Sequence, residues 1–177
     1  MHGLIDKLKC RIVFRGDLYD PKEDLDSWNP HASFLALKLF LAVCAQLGIY
    51  PKQTDLLMAY LQAKMRERVF IQFPASWKKC LPDHLHEWVG SPLLLLKALY
   101  GYNFSGKFLY LDQAEFLDKQ GFEKTGLPGL WIKHLPEGKF LVFLHYVDDI
   151  LTTGTDDRLH AEFLKPLRER FDVEIKP

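Results

Sequence analysis

The order of apolar and polar residues along the chain predicts a mixed α+β fold with antiparallel hairpins. Apolar residues at helical spacing predict three helices, over residues 32–47, 106–120 and 156–171. Runs of β-forming residues predict strands at 10–14, 49–55, 69–73, 130–134, 139–146, 150–153 and 172–176. The Pro-Glu-Gly sequence at 136–138 predicts one hairpin, and the short interval at 147–149 predicts a second, tighter one.

The helix boundaries follow from residues that start or stop a helix. Asn29 and Pro30 are expected to open the first helix, because proline suits the first helical turn, and Gly48 is expected to end it. Residues 32–47 are almost all apolar, which predicts a helix covered on nearly all sides. Thr155 is the expected N-cap of the last helix, which Pro166 is expected to kink or split.

The composition is that of one folded domain. Of the 177 residues, 48% are hydrophobic and 26% are charged, which excludes disorder as the main state. The 23 basic and 23 acidic residues balance, so a nucleic-acid site would need a local positive surface. The longest apolar run is shorter than the roughly 20 residues of a membrane span, so no membrane partner is expected. Three scattered cysteines without a preceding signal peptide indicate an intracellular protein with reduced thiols.

Two adjacent acids, Asp148 and Asp149, lie between two strongly apolar β-forming runs. A sheet interior does not tolerate unpaired charge, so the pair is expected at a hairpin tip. Neighbouring carboxylates repel each other unless a cation lies between them, and hard oxygen ligands of this kind suit Mg²⁺. Composition alone leaves a second interpretation open and favours it, namely an acidic turn that faces solvent.

Other short motifs stand in order around this acidic pair. They lie at 9–16 (KCRIVFRG), 53–61 (QTDLLMAYL), 69–74 (VFIQFP), 97–101 (KALYG), 121–122 (GF) and 146–149 (YVDD). Leu164, Lys165 and Phe171 fit a helix that follows the acidic hairpin. Together these motifs resemble the reverse transcriptases of copia-type long-terminal-repeat retrotransposons, which are RNA-directed DNA polymerases. The resemblance covers the chain from about Lys9 to Phe171.

The resemblance implies a catalytic centre made of Asp55, Asp148 and Asp149. In this family the corresponding carboxylates hold two Mg²⁺ or Mn²⁺ ions. The ions clamp the attacking primer 3′-hydroxyl and the leaving oxygen when a dNTP is added. Without the resemblance, Asp55 would be interpreted as a turn residue at the end of a strand.

The resemblance also implies four nucleotide-binding residues, Tyr60, Lys9, Arg11 and Phe104. Tyr60 takes the place of an aromatic residue that packs under the sugar and excludes a ribose 2′-hydroxyl; without the resemblance a core aromatic is as good an interpretation. Lys9 and Arg11 lie on one face of a strand, where they would meet phosphates or simply face solvent. Phe104 replaces the usual glutamine and cannot donate a hydrogen bond, although Ser105 and its neighbours keep a polar turn there.

By this resemblance the chain is a right-hand polymerase fragment, with an antiparallel palm (about 31–62 and 104–177) and partial fingers (about 1–30 and 63–103). The thumb, RNase H and integrase regions are expected to lie outside it. Its partners are a primed RNA or DNA template and dNTPs, in a cytoplasmic virus-like particle or the nucleus. Two alternatives stay open: a decayed, inactive polymerase-like fragment that at most binds nucleic acid or a partner, and an unrelated metal-dependent phosphotransferase.

Overall fold

The computed structural model describes residues 11–18 and 29–175. Within them lie four α-helices: α1 (Phe34–Leu47), α2 (Ala59–Gln62), α3 (Ser105–Lys119) and α4 (Asp157–Arg170). The strands are β1 (Lys52–Leu56), β2 (Phe70–Ile71), β3 (Leu93–Leu94), β4 (Glu123–Lys124), β5 (Leu130–His134), β6 (Phe140–Tyr146), β7 (Asp149–Gly154) and β8 (Val173–Ile175). Short 3₁₀ helices span Gly16–Leu18, Ala75–Lys79, Asp83–Trp88 and Pro136–Gly138.

Six of the strands form one antiparallel sheet in the order β4-β5-β6-β7-β1-β8, and β2 and β3 form a separate antiparallel pair. The β5–β6 and β6–β7 hairpins are those that the turn residues predict. The expected mixed α+β class with an antiparallel sheet is therefore confirmed. None of the helices in the described ranges is long and apolar enough to cross a membrane.

The sheet is covered by helices on both faces. On one face the main core joins α3 and α4 to the sheet through Phe116, Leu117, Phe143, Ile150 and Phe163. On the other face, a smaller cluster joins α1 to Leu130 and Leu144. Residues alternate between faces along a strand, so successive side chains of β6 and β7 belong to different clusters.

Helix α1 differs from the expectation at its start and in its burial. Its N-cap is Ser33, whose Oγ accepts a hydrogen bond from the backbone N–H of Ala36, so the helix does not open at Asn29-Pro30. It ends at Gly48 as expected, in the left-handed conformation that glycine adopts without strain. Phe34 is 71% exposed and Leu35 64% exposed, so the expectation of nearly complete burial was wrong. Only one stripe of the helix meets the sheet.

Other elements of the structure also differ from the sequence predictions. The N-cap of α4 is Asp156, whose Oδ1 accepts from the backbone N–H groups of Arg158 and Leu159, and not Thr155. Pro166 lies inside α4 but does not split it. The strand predicted at 10–14 is absent from the described residues 11–14, and Cys10 and the preceding Lys9 lie outside the described residues.

Candidate active site

The acidic pair lies at the tip of the β6–β7 hairpin. Tyr146 and Asp149 form the last pair of the ladder, which leaves Val147 and Asp148 as a two-residue turn. Val147 has a φ of 56°, in the left-handed region that β-branched residues rarely adopt. Asp148 and Asp149 are both exposed. The turn thus presents two carboxylates to solvent at the end of a well-packed hairpin.

Strand β1 brings Asp55 to this tip from a distant part of the sequence. Asp55 is the direct cross-strand partner of Asp149, and the backbone N–H of Leu56 donates to the carbonyl of Asp148 at 2.9 Å. That bond makes Leu56 and Asp148 a hydrogen-bonded pair, so Asp55 and Asp149 form the non-hydrogen-bonded pair beside it. In such a pair the Cα atoms are about 4.5 Å apart and the side chains project from the same face of the sheet.

A third acid extends this row across the sheet. Glu174 of β8 is the cross-strand partner of Asp55 on its other side. Glu174 lies outside the motifs that resemble the reverse transcriptases. The alternation of residues 173–175 is the signal that could have found it, since Val173 and Ile175 pack against the core and Glu174 between them is exposed. Like charges placed opposite each other destabilise a sheet, so this row of acids carries an electrostatic cost.

The carboxylates fit a divalent cation by their chemistry. Mg²⁺ binds hard oxygen ligands and is usually held by one or two carboxylates together with substrate phosphates. Asp55 and Asp149 supply such a pair, and Gln53 donates a hydrogen bond from Nε2 to Asp149 Oδ1 at 3.1 Å. Within residues 11–18 and 29–175, no three His, Cys, Asp or Glu side chains already form a metal-binding group. A cation here would therefore need ligands from bound substrate.

Tyr60 lies beside the acidic turn. It belongs to α2, which follows β1 directly, and its side chain is half-buried. Burial raises the pKa of the Tyr60 hydroxyl, and the charge of Asp148 and the neighbouring Tyr100 raise it further. Tyr60 also lines a polar pocket of about 480 Å³ together with Asn29, His31, Tyr102, Asn103, Ser105 and the backbone of Gly101 and Gly106. Tyr60 is thus a residue of this pocket that also feels the charge of the acidic turn.

The other predicted nucleotide-binding residues have different surroundings. Arg11 is exposed, and its guanidinium carbon lies 5.3 Å above the ring of Tyr100. Lys9 lies outside the described residues. Phe104 is only 3% exposed and packs with Tyr102 and Phe108. The Phe104 side chain therefore has almost no exposed surface with which to contact a nucleotide in this structure.

His145 supports the acidic turn from inside the fold. Its side chain is 1% exposed, and Nε2–H donates to the carbonyl oxygen of Val147 at 3.0 Å. Burial lowers the pKa of His145 to about 4, so the ring is neutral at physiological pH. His145 is therefore a hydrogen-bonded core histidine, and its partner is the strained residue of the turn.

Three basic residues, Lys64, Arg66 and Arg68, follow α2, and at least one of them stabilises the fold. Arg66 pairs with the buried Asp112 at 2.8 Å and with Glu115 at 2.6 Å. The backbone N–H of Lys64 also donates to Asp112. These contacts hold residues 64–66 against α3. The Arg66 guanidinium is therefore already paired with carboxylates of the protein.

The comparison with protein-family models decides the family. The model described as Reverse transcriptase (RNA-dependent DNA polymerase) matches residues 4–175. The chain belongs to the reverse transcriptase family. The recognition made from the ordered motifs is confirmed.

Several retrotransposon polyproteins are similar to this reverse transcriptase chain. It is 26% identical over 172 residues to the Retrovirus-related Pol polyprotein from transposon TNT 1-94 of Nicotiana tabacum, which is 95% of the chain and 12% of that polyprotein. It is 29% identical over 178 residues to the polyprotein from transposon RE1 of Arabidopsis thaliana, 97% of the chain and 11% of the relative. The chain thus spans about an eighth of the length of these relatives or less. No solved structure matches it.

Proposed function

We propose that the chain is the catalytic region of a copia-type reverse transcriptase, which adds dNTPs to a primer 3′-hydroxyl on an RNA or DNA template. The observation that carries this proposal is the direct pairing of Asp55 with Asp149 next to Asp148. Two facing carboxylates, kept together by the sheet despite their repulsion, are suited to a function that neutralises them. A site that grips divalent cations and polyphosphate supplies that neutralisation.

In this mechanism the primer hydroxyl attacks the α-phosphate of the dNTP, a P–O bond forms, and pyrophosphate leaves. Asp55 and Asp148 would hold the two cations with support from Asp149, and Gln53 holds the Asp149 carboxylate in place through its hydrogen bond. Divalent cations bound there supply charge stabilisation for the attacking and leaving oxygens. The hydrogen bond from His145 to Val147 keeps the turn, and with it Asp148, in one orientation.

Tyr60 is proposed to exclude ribonucleotides. Its half-buried ring lies beside Asp148 and faces the polar pocket, where the sugar of an incoming nucleotide would sit. A ribose carries a 2′-hydroxyl that would collide with the ring, whereas a deoxyribose has only hydrogen there. Discrimination then comes from a clash and requires no contact specific to deoxyribose.

The division into palm and fingers is part of the same proposal. The six-stranded sheet with α1, α3 and α4 draws its strands and helices from residues 31–62 and 104–177, the proposed palm. Residues 63–103 contain the small β2–β3 sheet and two 3₁₀ helices, which suits a separate fingers segment. The remaining polyprotein regions, among them the thumb, RNase H and integrase, are proposed partners for the catalytic region.

The experiment is primer extension on poly(rA)/oligo(dT) with dTTP and Mg²⁺ or Mn²⁺. We expect extension by the wild-type chain and its loss in the variants Asp55→Asn and Asp148→Asn. Asp118→Asn is the matched control, because Asp118 is exposed on α3, outside the site. Extension by both site variants at the control's rate would defeat the proposal.

A second candidate, an inactive polymerase-like fragment that binds nucleic acid or a partner, is favoured by one observation. Phe104 occupies the position of the family's glutamine and is buried in the core. A wild-type chain that binds primed template in a mobility-shift assay but adds no nucleotide with either metal would support this candidate.

A further inference from the structure

The motif at 97–101 has no role in the function proposed above, yet it lies against the site. Tyr100 packs its ring edge-to-face on Tyr60, with centroids 5.0 Å apart and planes at 70°. Edge-to-face packing is a preferred aromatic geometry because the positive edge of one ring meets the negative face of the other. Tyr60 therefore has a defined aromatic neighbour.

Tyr100 is itself fixed by two separate contacts. Its carbonyl oxygen accepts a hydrogen bond from the backbone N–H of Phe14 at 2.6 Å. The guanidinium carbon of Arg11 lies 5.3 Å from the centre of its ring, within the range of a cation–π interaction. The segment that starts at Arg11 thus anchors both the backbone and the ring of Tyr100.

The next residue, Gly101, shows how closely these two segments approach. Its φ is +84°, and a Cβ atom at that position would collide with the carbonyl oxygen of Phe14. A Cβ at Gly16 would in turn collide with the carbonyl oxygen of Gly101. Two glycines facing each other allow the backbones to lie close enough for the Phe14 to Tyr100 hydrogen bond.

We infer that Tyr100 is a positioning residue that holds the ring of Tyr60 in the orientation needed for sugar selection. This inference rests on the proposed function. Tyr60 belongs to a short helix whose preceding residue, Met58, is in a left-handed conformation, so α2 alone gives the ring little support. Tyr100 supplies that support from outside the helix. Without it the Tyr60 ring would rotate away and admit a ribose.

The first test measures sugar selection in primer extension, as the ratio of kcat/KM for dTTP to that for UTP. Tyr100→Phe keeps the ring and should keep the ratio. Tyr100→Leu removes the edge-to-face contact and should lower the ratio about 2- to 10-fold, the effect expected for losing one aromatic pair. The change should appear mainly in the KM for UTP. In a Tyr60→Ala background, Tyr100→Leu should have no further effect.

The second test does not need activity. The seven tyrosines can be labelled with 3-fluorotyrosine, and the fluorine signal of Tyr60 identified from Tyr60→Phe. That signal should move in Tyr100→Leu and stay in place in Tyr100→Phe and in Tyr50→Leu, since Tyr50 is 88% exposed. Should Tyr100→Leu fail to fold, Tyr100→Met, which fills a similar space without a ring, replaces it.

The two tests distinguish a failure of the inference about Tyr100 from a failure of the proposed polymerase function. A Tyr60 signal that does not move in a folded Tyr100→Leu or Tyr100→Met protein overturns the inference, as does an unchanged selection ratio in an active variant. A wild-type chain that extends no primer defeats the proposed function, and the fluorine spectrum then decides alone whether Tyr100 positions Tyr60.

Discussion

Asp55 and Asp149 lie directly opposite each other on adjacent strands, at a non-hydrogen-bonded position of the antiparallel ladder. This is the position at which facing side chains come closest. Two like charges placed there repel each other. The same repulsion makes the site attractive to a divalent cation, so stability and metal binding should be linked through one pair.

The first prediction follows from that linkage. Asp55→Asn removes one of the two facing charges while it keeps the size of the side chain. Mg²⁺ should raise the melting temperature of the wild type more than that of the variant, since only a ligand of the folded state stabilises it. Differential scanning calorimetry of both proteins with and without Mg²⁺ measures this difference. Asp118→Asn, in which the facing pair is intact, should respond to Mg²⁺ as the wild type does.

The second prediction concerns strain in the turn. Val147 has a φ of 56°, a conformation that costs an ordinary L-residue roughly 1–2 kcal/mol, whereas asparagine visits it readily. Val147→Asn should therefore raise the free energy of unfolding by about 0.5–1 kcal/mol, less than the full strain because some apolar burial is lost. Urea unfolding measures the change.

A matched control is available for Val147. Val89 is half-buried to a similar degree but has a φ of −68°, so it carries no left-handed strain. Val89→Asn should give no gain in stability. A gain of equal size in both variants would mean that asparagine acts through something other than the backbone conformation of the turn.

The hairpins could be predicted from the sequence because they depend on neighbouring residues. The β6–β7 hairpin and the ends of β5 follow from local alternation and from turn residues between them. Helices α3 and α4 were predicted to within a residue or two for the same reason.

The contacts between distant residues could not be predicted in this way. Nothing in the local pattern brings Asp55 beside Asp149, and only the resemblance to a family suggested that they meet. The apolar residues of α1 predicted burial, but apolarity does not say how much of a helix finds a partner, and Phe34 stays exposed. The position of Glu174 and the packing of Tyr100 on Tyr60 likewise depend on tertiary structure.

The third prediction concerns a buried carboxylate that joins three segments. The Asp112 side chain is 3% exposed and accepts hydrogen bonds from the Lys64 backbone, Arg66 and Arg170, the last two at 2.8 and 3.3 Å. Asp112→Ala should lower the free energy of unfolding by about 1–3 kcal/mol, because the Lys64 backbone and two partly exposed arginines lose a buried hydrogen-bond acceptor. Chemical denaturation measures the loss.

Glu115 provides the comparison for Asp112. It also pairs with Arg66, at 2.6 Å, but its side chain is 57% exposed. Glu115→Ala should therefore cost about 0–1 kcal/mol, as expected for a solvent-exposed ion pair. Equal losses in the two variants would contradict the assignment of Asp112 as the residue that ties α3 to Arg66 and to α4.

The last prediction is a loss of stability in mild acid. Burial lowers the pKa of His145 and of His160 to about 4, from an ordinary value near 6.5. The charge of Lys52 lowers the pKa of His160 further, and that of Asp157 opposes it. The unfolded chain binds protons more readily at these two histidines than the folded protein does. The stability that depends on their neutral form is therefore fully present above pH 6.5 and is lost as the pH falls from there through 4.

His160→Gln isolates one of the two groups, since His160 is 1% exposed and hydrogen-bonded to Thr152 at 2.8 Å. The free energy of unfolding, measured by urea denaturation at pH 7.5, 6 and 5, should fall less steeply in this variant than in the wild type, by about 1–3 kcal/mol across the range. His84→Gln is the control, because His84 is exposed and should leave the slope unchanged. Comparing variants at each pH cancels the titration of carboxylates that all three proteins share. Parallel slopes for the wild type and His160→Gln would show that His160 binds its proton as readily in the folded protein as in the unfolded chain, contrary to the linkage argument.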